Sequence, residues 1–268
     1  MNMRKINRIC IIGAGNMGGA IAAGIASSPG FSLRNLTVTA RTQETLDRIG
    51  ALYPGIGVSL DNAAAAAGSD LTVIAVKPWQ AEAVAREIKS VLDYGRCTVA
   101  SVVAGVGFSE WSEWLEKDGK APALLRIIPN TAIALGQGTT FIASCGASED
   151  VIGEVSEIFG RMGIVLRTDE GMMAAGTALA SCGIAYALKY IDAAIRGGVK
   201  IGFGEKEARQ IVMSTMKGAL ALLEENGTMP QKEIDKVTTP GGYTFRGLSA
   251  MEENGFSEAV IQGLMHSM

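Results

Sequence analysis

Two stretches of the chain hold residue types whose spacing could do chemistry. The first is Gly13-Ala14-Gly15-Asn16-Met17-Gly18, a G-x-G-x-x-G pattern. It follows the apolar run Ile9-Cys10-Ile11-Ile12, the length of one buried strand, and opens a helical stretch from Gly19 to Ser28 that stops at Pro29-Gly30. In that setting Gly13 makes a tight turn, Gly15 lets backbone approach a pyrophosphate, and Gly18 lets the helix pack on the strand. The helix start, at Asn16 and Met17, offers unpaired N–H groups to the phosphate charge. A lone glycine turn also arises for steric reasons; its place between strand and helix makes dinucleotide binding the stronger reading.

The second stretch is Val237-Thr238-Thr239-Pro240-Gly241-Gly242-Tyr243-Thr244. Hydroxyls cluster around a Pro-Gly-Gly turn that leads into a helix. Freed backbone N–H groups and the helix N-terminus would hold a carboxylate, and a threonine hydroxyl would bond a small polar substrate. The plain alternative is a helix–helix turn with threonine as N-cap, and the residues alone favour it.

Between these two lie the residues expected to complete a cofactor site. The ribose contact should follow the second strand, Leu36-Thr37-Val38-Thr39, where a carboxylate would select NAD. The chain has Ala40-Arg41-Thr42 there. A guanidinium forks onto a phosphate and a hydroxyl adds a bond, so NADPH is expected over NADH, with NADH still usable. Val76-Lys77-Pro78 and Ala104-Gly105 fall at the carboxyl ends of later strands, where nicotinamide is expected; Lys77-Pro78 also reads as a simple strand stop. The only histidine, His266, is remote from every motif, which argues against a histidine general acid.

The elements that must position these residues alternate strand and helix as far as Arg167, which means a doubly wound parallel sheet. Strands are expected at Val58–Leu60, Asp70–Val76, Cys97–Val103, Ala123–Ile128, Thr140–Ala143 and Ile164–Arg167. Beyond Asp169 only helices are expected: Gly171 to Arg196, Glu205 to Glu225, Phe245 to Asn254 and Glu258 to Met268, the last with Ser257 as N-cap. The fold class is therefore α/β: a dinucleotide-binding domain over residues 1–168, then an all-helical domain over residues 169–268.

The 268 residues suffice for one large or two ordinary domains, and a net charge of −3 with scattered Lys and Arg argues against nucleic acid. The start, MNMRKINRICIIG, holds too short an apolar run for a signal-peptide core and reads as the first strand. Met172 to Leu188 carries no charge but falls short of the roughly 20 apolar residues of a membrane span. It is expected to be a helix buried on all sides, with a partner subunit as cover. Cys10, Cys97, Cys145 and Cys182 are far apart and read as buried thiols in a reducing, cytoplasmic setting, with no metal or disulfide framework.

Residues Val237 to Glu252, VTTPGGYTFRGLSAME, resemble the signature segment of the pyrroline-5-carboxylate reductases. Further matches run along the chain: GAGNMGGAI from Gly13, VKP from Val76, RIIPNT from Arg126 and ALKYIDAAIRGGVKIGF from Ala187. The resemblance implies reduction of the C=N bond of 1-pyrroline-5-carboxylate to L-proline, the last step of proline biosynthesis, with NAD(P)H. It implies a homodimer interlocked through the helical domain, with dimers assembling into rings up to a decamer. It places a substrate hydroxyl at Thr239, turn amides from Gly241 through Gly242 and Tyr243 to Thr244, and the threonine that bonds the ring nitrogen at Thr244. A protonated imine is already electrophilic, which agrees with the missing histidine.

The chain departs from that pattern at Ala180-Ser181-Cys182-Gly183-Ile184, where the family reads S-G-S-G-P, and at Ala132, where it has proline. Two other readings follow. A β-hydroxyacid dehydrogenase shares the glycine turn, but Lys189 is followed four residues on by Ala193 and not by the asparagine such enzymes carry. A reductase-like regulatory or binding subunit rests on the altered 180–184 segment alone.

Overall fold

The computed structural model describes residues 5–268; the first four residues of the stretch read at the N-terminus lie outside it. The chain separates into two compact units, residues 1–181 and 182–268. In the first unit a buried strand β1 (Ile9–Ile12) leads into helix α1 (Asn16–Ser27), and β2 (Leu36–Thr39) into α2 (Gln43–Leu52). Next come β3 (Gly57–Ser59), α3 (Asn62–Ala66), β4 (Leu71–Ile74) and α4 (Ala81–Ile88). The unit continues with β5 (Thr98–Ser101), α5 (Phe108–Leu115), β6 (Ala123–Pro129), β7 (Gly138–Cys145), α6 (Glu149–Gly160) and β8 (Gly163–Arg167).

These strands form one sheet in the order β3-β2-β1-β4-β5-β6-β7-β8. Side chains on a strand alternate between faces, so β1 feeds two cores at once. Ile9 and Ile11 pack with Ile21 and Ile25 of α1, while Cys10 and Ile12 pack with Ile74 and Ala85 on the other face. Burial on both faces is what makes Ile9–Ile12 an unbroken apolar run. The same burial pushes the Cys10 thiol up to about 12, helped by nearby Cys97, so Cys10 is an inert core residue.

The sheet is not parallel throughout, as expected from the alternation. β7 runs antiparallel to β6, pairing Pro129 with Thr140 and Leu124 with Cys145. The connection between them holds only a 3-10 turn, Thr131–Leu135, and a parallel neighbour needs a crossover of a dozen or more residues. Helix α4 begins only at Ala81, because Pro78–Gln80 forms a 3-10 turn ahead of it.

The helical region begins with a 3-10 turn at Glu170–Met172 and continues as α7 (Met173–Gly176), a π-helical segment Thr177–Cys182 and α8 (Gly183–Lys200). It is thus not the single regular helix expected. The Thr177 hydroxyl donates to the Met173 carbonyl at 2.8 Å, a back-bond that competes with the regular ladder at this point. α9 (Glu205–Asn226), α10 (Pro230–Val237), α11 (Tyr243–Glu253) and α12 (Phe256–Met265) complete the chain. Ser257 is not the N-cap of α12: Gly255 holds that position, and the Ser257 hydroxyl donates to Glu252 instead.

The compact units divide after Ser181, whereas the domain boundary read from the sequence falls after residue 168: Met173 lies in the core of the first unit, Gly176 packs against the Phe141 ring, and Glu170 pairs with Arg126. Within the single chain Met173, Gly176 and Ala178 of the stretch Met172 to Leu188 are buried, whereas Leu179 and Leu188 are exposed, where a partner subunit is the expected cover. Residues 170–200 form a helical run long and apolar enough to cross a membrane by length and composition alone. Of the four cysteines, Cys145 is exposed and Cys182 half-buried, since neither sits within a strand or helix covered on both sides.

The entry to the sheet hangs on one carboxylate. Asp70 is buried, accepts the Asn7 and Arg8 N–H groups at 3.0 and 2.9 Å, and pairs with Arg96. Burial alone would raise its pKa; the Arg96 guanidinium and the two amides outweigh it and hold the carboxyl below its usual value. A lowered folded pKa adds stability that is present above the unfolded value, near 4, and lost as pH falls through the folded one. Asp70→Asn is therefore expected to cost about 1–3 kcal/mol in urea unfolding at neutral pH, with the gap to wild type closing in acid below about pH 4. An equal gap at both pH values would contradict this role.

Candidate active site

The glycine turn is built by contacts that exclude a side chain. Gly13 has φ of +102°, a backbone region costly to residues with a Cβ, and a Cβ there would stand 2.7 Å from the Ala75 carbonyl oxygen. A Cβ on Gly18 would stand 1.9 Å from the Gly13 carbonyl oxygen. Gly15 differs: a Cβ there would meet nothing within 4 Å. Protein packing therefore explains two of the three glycines and leaves the third facing open space.

Gly15 is also the N-cap of α1, and it offers no side chain to close the helix start. The first turn holds no acidic residue, and the Asn16, Met17 and Gly18 N–H groups have no partner among the described residues. Such a helix end presents unsatisfied donors and a partial positive charge.

The sheet brings the other residues expected at the cofactor to the same edge. β1 pairs with β2 on one side and β4 on the other, so the chain diverges at the carboxyl end of β1. Gly13 N–H donates to the Thr39 carbonyl at 3.2 Å, joining the glycine turn to the end of β2 just before Arg41. On the other side, the Val76 side chain would lie 3.1 Å from a Cβ at Gly13. Lys77 and Pro78 follow, with Pro78 opening the 3-10 turn. Val102 N–H donates to the Ile74 carbonyl at 3.0 Å, which sets the loop holding Ala104 beside the loop after β4. Arg41 is exposed and forms no ion pair among the described residues. Thr42 caps α2 by accepting the Thr45 N–H at 3.4 Å.

Two residues that sequence reasoning did not single out support this edge. The buried Thr39 hydroxyl donates to Asn62 at 2.6 Å, and Asn62 donates to Glu87 at 2.9 Å, fixing the end of β2. A threonine closing an apolar strand was the available signal. Glu170 gave none, lying far in sequence from the loop it touches.

In the second unit, Thr239-Pro240-Gly241-Gly242 forms a tight turn. Gly242 N–H donates to the Thr239 carbonyl at 2.8 Å and Gly241 has φ of +74°, as a type II turn with proline second and glycine third requires. The turn delivers Gly242 to the N-cap of α11. Of the amides expected to be open, that of Gly242 is thus used within the turn. Those of Tyr243 and Thr244 have no partner among the described residues, and the first turn of α11 carries no acidic side chain. Neither Thr238 nor Thr239 acts as an N-cap: the Thr238 hydroxyl donates back to the Ile234 carbonyl at 2.7 Å. Thr239 and Thr244 are exposed, and the Arg246 guanidinium lies 4.8 Å from the centre of the Tyr243 ring. No group of three or more metal-ligating side chains occurs among the described residues.

Residues 170–268 match the model for pyrroline-5-carboxylate reductase dimerisation, and residues 8–105 match that for NADP oxidoreductase, coenzyme F420-dependent. The chain is 34% identical to pyrroline-5-carboxylate reductase 2 of Dictyostelium discoideum over 279 residues, 99% of this chain and 92% of that protein. The chain belongs to the pyrroline-5-carboxylate reductase family. It is equally 34% identical to reductase 1 of the same organism, of whose length it spans about half, 48%. The solved pyrroline carboxylate reductase of Plasmodium falciparum, with NADP bound, superimposes with a TM-score of 0.88 at 26% identity, covering 99% of this chain and 97% of that one. The reductase fold thus accounts for both units: an NADP-binding α/β sheet and a helical dimerisation domain.

The contacts separate the glycines by role. Gly18→Ala is expected to cost about 3 kcal/mol or more, since backbone and not a flexible side chain must yield. Gly15→Ala is expected to leave the melting temperature near that of wild type. Thermal unfolding of both variants checks this, and similar losses in the two would contradict it.

Proposed function

We propose that the protein reduces 1-pyrroline-5-carboxylate to L-proline with NADPH as cofactor. The observation that carries this reading is the turn at Thr239–Gly242, which opens α11 with free amides and no nearby carboxylate, in a chain whose relatives are reductases of this substrate. An opening like that takes an anion, and the substrate has one carboxylate beside its ring nitrogen. In this reading the Tyr243 and Thr244 amides, with the Thr239 hydroxyl and the Gly241–Gly242 turn, hold the carboxylate. The Thr244 hydroxyl bonds the ring nitrogen and orients the C=N bond. The substrate enters with its nitrogen protonated, so the chain needs to supply position and not an acid.

The residues at the sheet edge fit the cofactor. The space beyond Gly15 and the unpaired amides of Asn16, Met17 and Gly18 suit a pyrophosphate, and Arg41 with Thr42 suits a 2'-phosphate. Val76, Lys77, Pro78 and Ala104 border the nicotinamide. When bound, the reduced nicotinamide supplies the hydride that saturates the C=N bond. A homodimer covers the apolar residues the single chain exposes in its second unit, Leu188, Tyr190, Val199 and Phe203 among them, and a decamer is the assembly the resemblance implies.

Purified protein is expected to oxidise NADPH with pyrroline-5-carboxylate, yielding L-proline, and to be inactive with 3-hydroxy acids in the reverse direction. Thr244→Ala is expected to lower kcat by roughly 10–100-fold while the Kd for NADPH changes less than about threefold. Turnover unchanged by Thr244→Ala would remove that residue from the site; tight NADPH binding without turnover would favour a regulatory role. For the ribose end, Arg41→Ala is expected to raise the KM for NADPH roughly tenfold and to leave that for NADH nearly unchanged. Equal effects on both cofactors would contradict a 2'-phosphate contact.

A further inference from the structure

The loop from Ala104 to Gly107 joins β5 to α5, and its backbone is held at its two ends by different means. At the start, the Val102 N–H donates to Ile74 and the Val103 N–H to the Ser101 hydroxyl at 3.1 Å. At the far end, helix α5 begins with Gly107 as N-cap, a residue with no side chain to accept from the first turn. The Glu110 carboxylate accepts from its own N–H and from that of Gly107, while the Phe108 N–H is taken by a residue 62 positions away, Glu170 Oε1, at 2.7 Å. The same oxygen takes Arg126 Nη1 at 2.8 Å, and Arg126 is largely buried on β6.

Gly107 makes this approach possible. A Cβ at that position would lie 3.2 Å from Glu170 Oε1 and 3.0 Å from Glu110 Oε2. Two carboxylates and one guanidinium thus converge on the helix start. Arg126 compensates the paired negative charge, and it contributes, after the Glu110, Ser109 and Gly107 hydrogen bonds, to holding the Glu110 carboxyl below its usual pKa. Between the two anchors the Ala104 and Gly105 amides have no partner among the described residues, whereas the Gly107 N–H bonds the Glu110 carboxylate, and Gly105 adopts φ of +76°. A loop with so few internal bonds takes its position from its ends.

We infer that Glu170 is a positioning residue for the cofactor: by capping α5 from a distance it fixes the Ala104–Gly107 loop where the nicotinamide is proposed to lie. This rests on the reading of Ala104 as a cofactor contact. Glu170 itself touches the loop's anchor and not the reacting atoms. A charged hydrogen bond to a helix start is strong enough for its loss to free the loop.

The test uses the full-length protein and reads cofactor binding apart from turnover. Glu170→Ala is expected to weaken NADPH binding roughly tenfold by fluorescence titration, to speed amide exchange in the 103–109 peptide, and to leave the imine KM at saturating NADPH within about twofold of wild type. Glu170→Gln, whose amide oxygen can still accept the Phe108 N–H, is expected to recover most of the affinity. If the alanine variant proves insoluble, Glu170→Asp, one methylene too short to reach both donors, carries the same comparison. Unchanged NADPH affinity together with unchanged exchange in that peptide would overturn the inference, as would equal losses in the alanine and glutamine variants. Because neither the NADPH affinity nor the amide exchange needs imine reduction, a wild-type protein that binds NADPH but does not turn over would contradict the proposed function and leave this inference standing.

Discussion

The close approach of Gly18 to the Gly13 carbonyl is the constraint on which the first unit depends. With a Cβ on Gly18 placed only 1.9 Å from that oxygen, helix and strand cannot sit as they do unless the residue is glycine. The contact sets how α1 leaves the sheet, and therefore where the open amides of its first turn point. The Gly13 N–H, bonded to Thr39, ties the same turn to the end of β2. The Gly13 backbone lies against Ala75, at the end of β4. One turn thus places the first turn of α1, the end of β2 and the end of β4 relative to each other.

The second unit solves a related problem with different residues. There the helix start is exposed by a type II turn, Pro240 and Gly241 fixing the backbone, and again no acidic side chain occupies the first turn. Both α1 and α11 start at a glycine cap without a hydrogen-bonding side chain, Gly15 in one and Gly242 in the other. Where the chain needs a helix start closed, it brings in a carboxylate or hydroxyl: Asp61 caps α3, Ser148 caps α6 and Glu170 reaches α5.

Much of this was legible in the sequence because it is local. The strand Ile9–Ile12 and the strand Leu36–Thr39 fall where their apolar runs put them, and the glycine spacing located the turn. The Pro-Gly-Gly segment located the second turn, although the Gly242 amide, expected to be open, is spent on Thr239. What was not legible depends on contacts distant in sequence. The antiparallel step at β7 follows from the length of one connection, which the strand alternation conceals. Glu170 reaches a helix 62 positions earlier, and residues 170–181 fall in the first compact unit. Exposure of Cys145 and Leu188 likewise reflects packing that an apolar pattern does not record.

The central claim is that these two helix starts serve one reaction, reduction of a cyclic imine by a nicotinamide. The most direct measurement is the fate of a label: NADPH carrying deuterium on the transferable position of its nicotinamide, incubated with the protein and pyrroline-5-carboxylate, followed by NMR of the product. The account predicts L-proline with deuterium at the carbon of the former C=N bond. Proline free of the label, or oxidised cofactor with no proline formed, would contradict it.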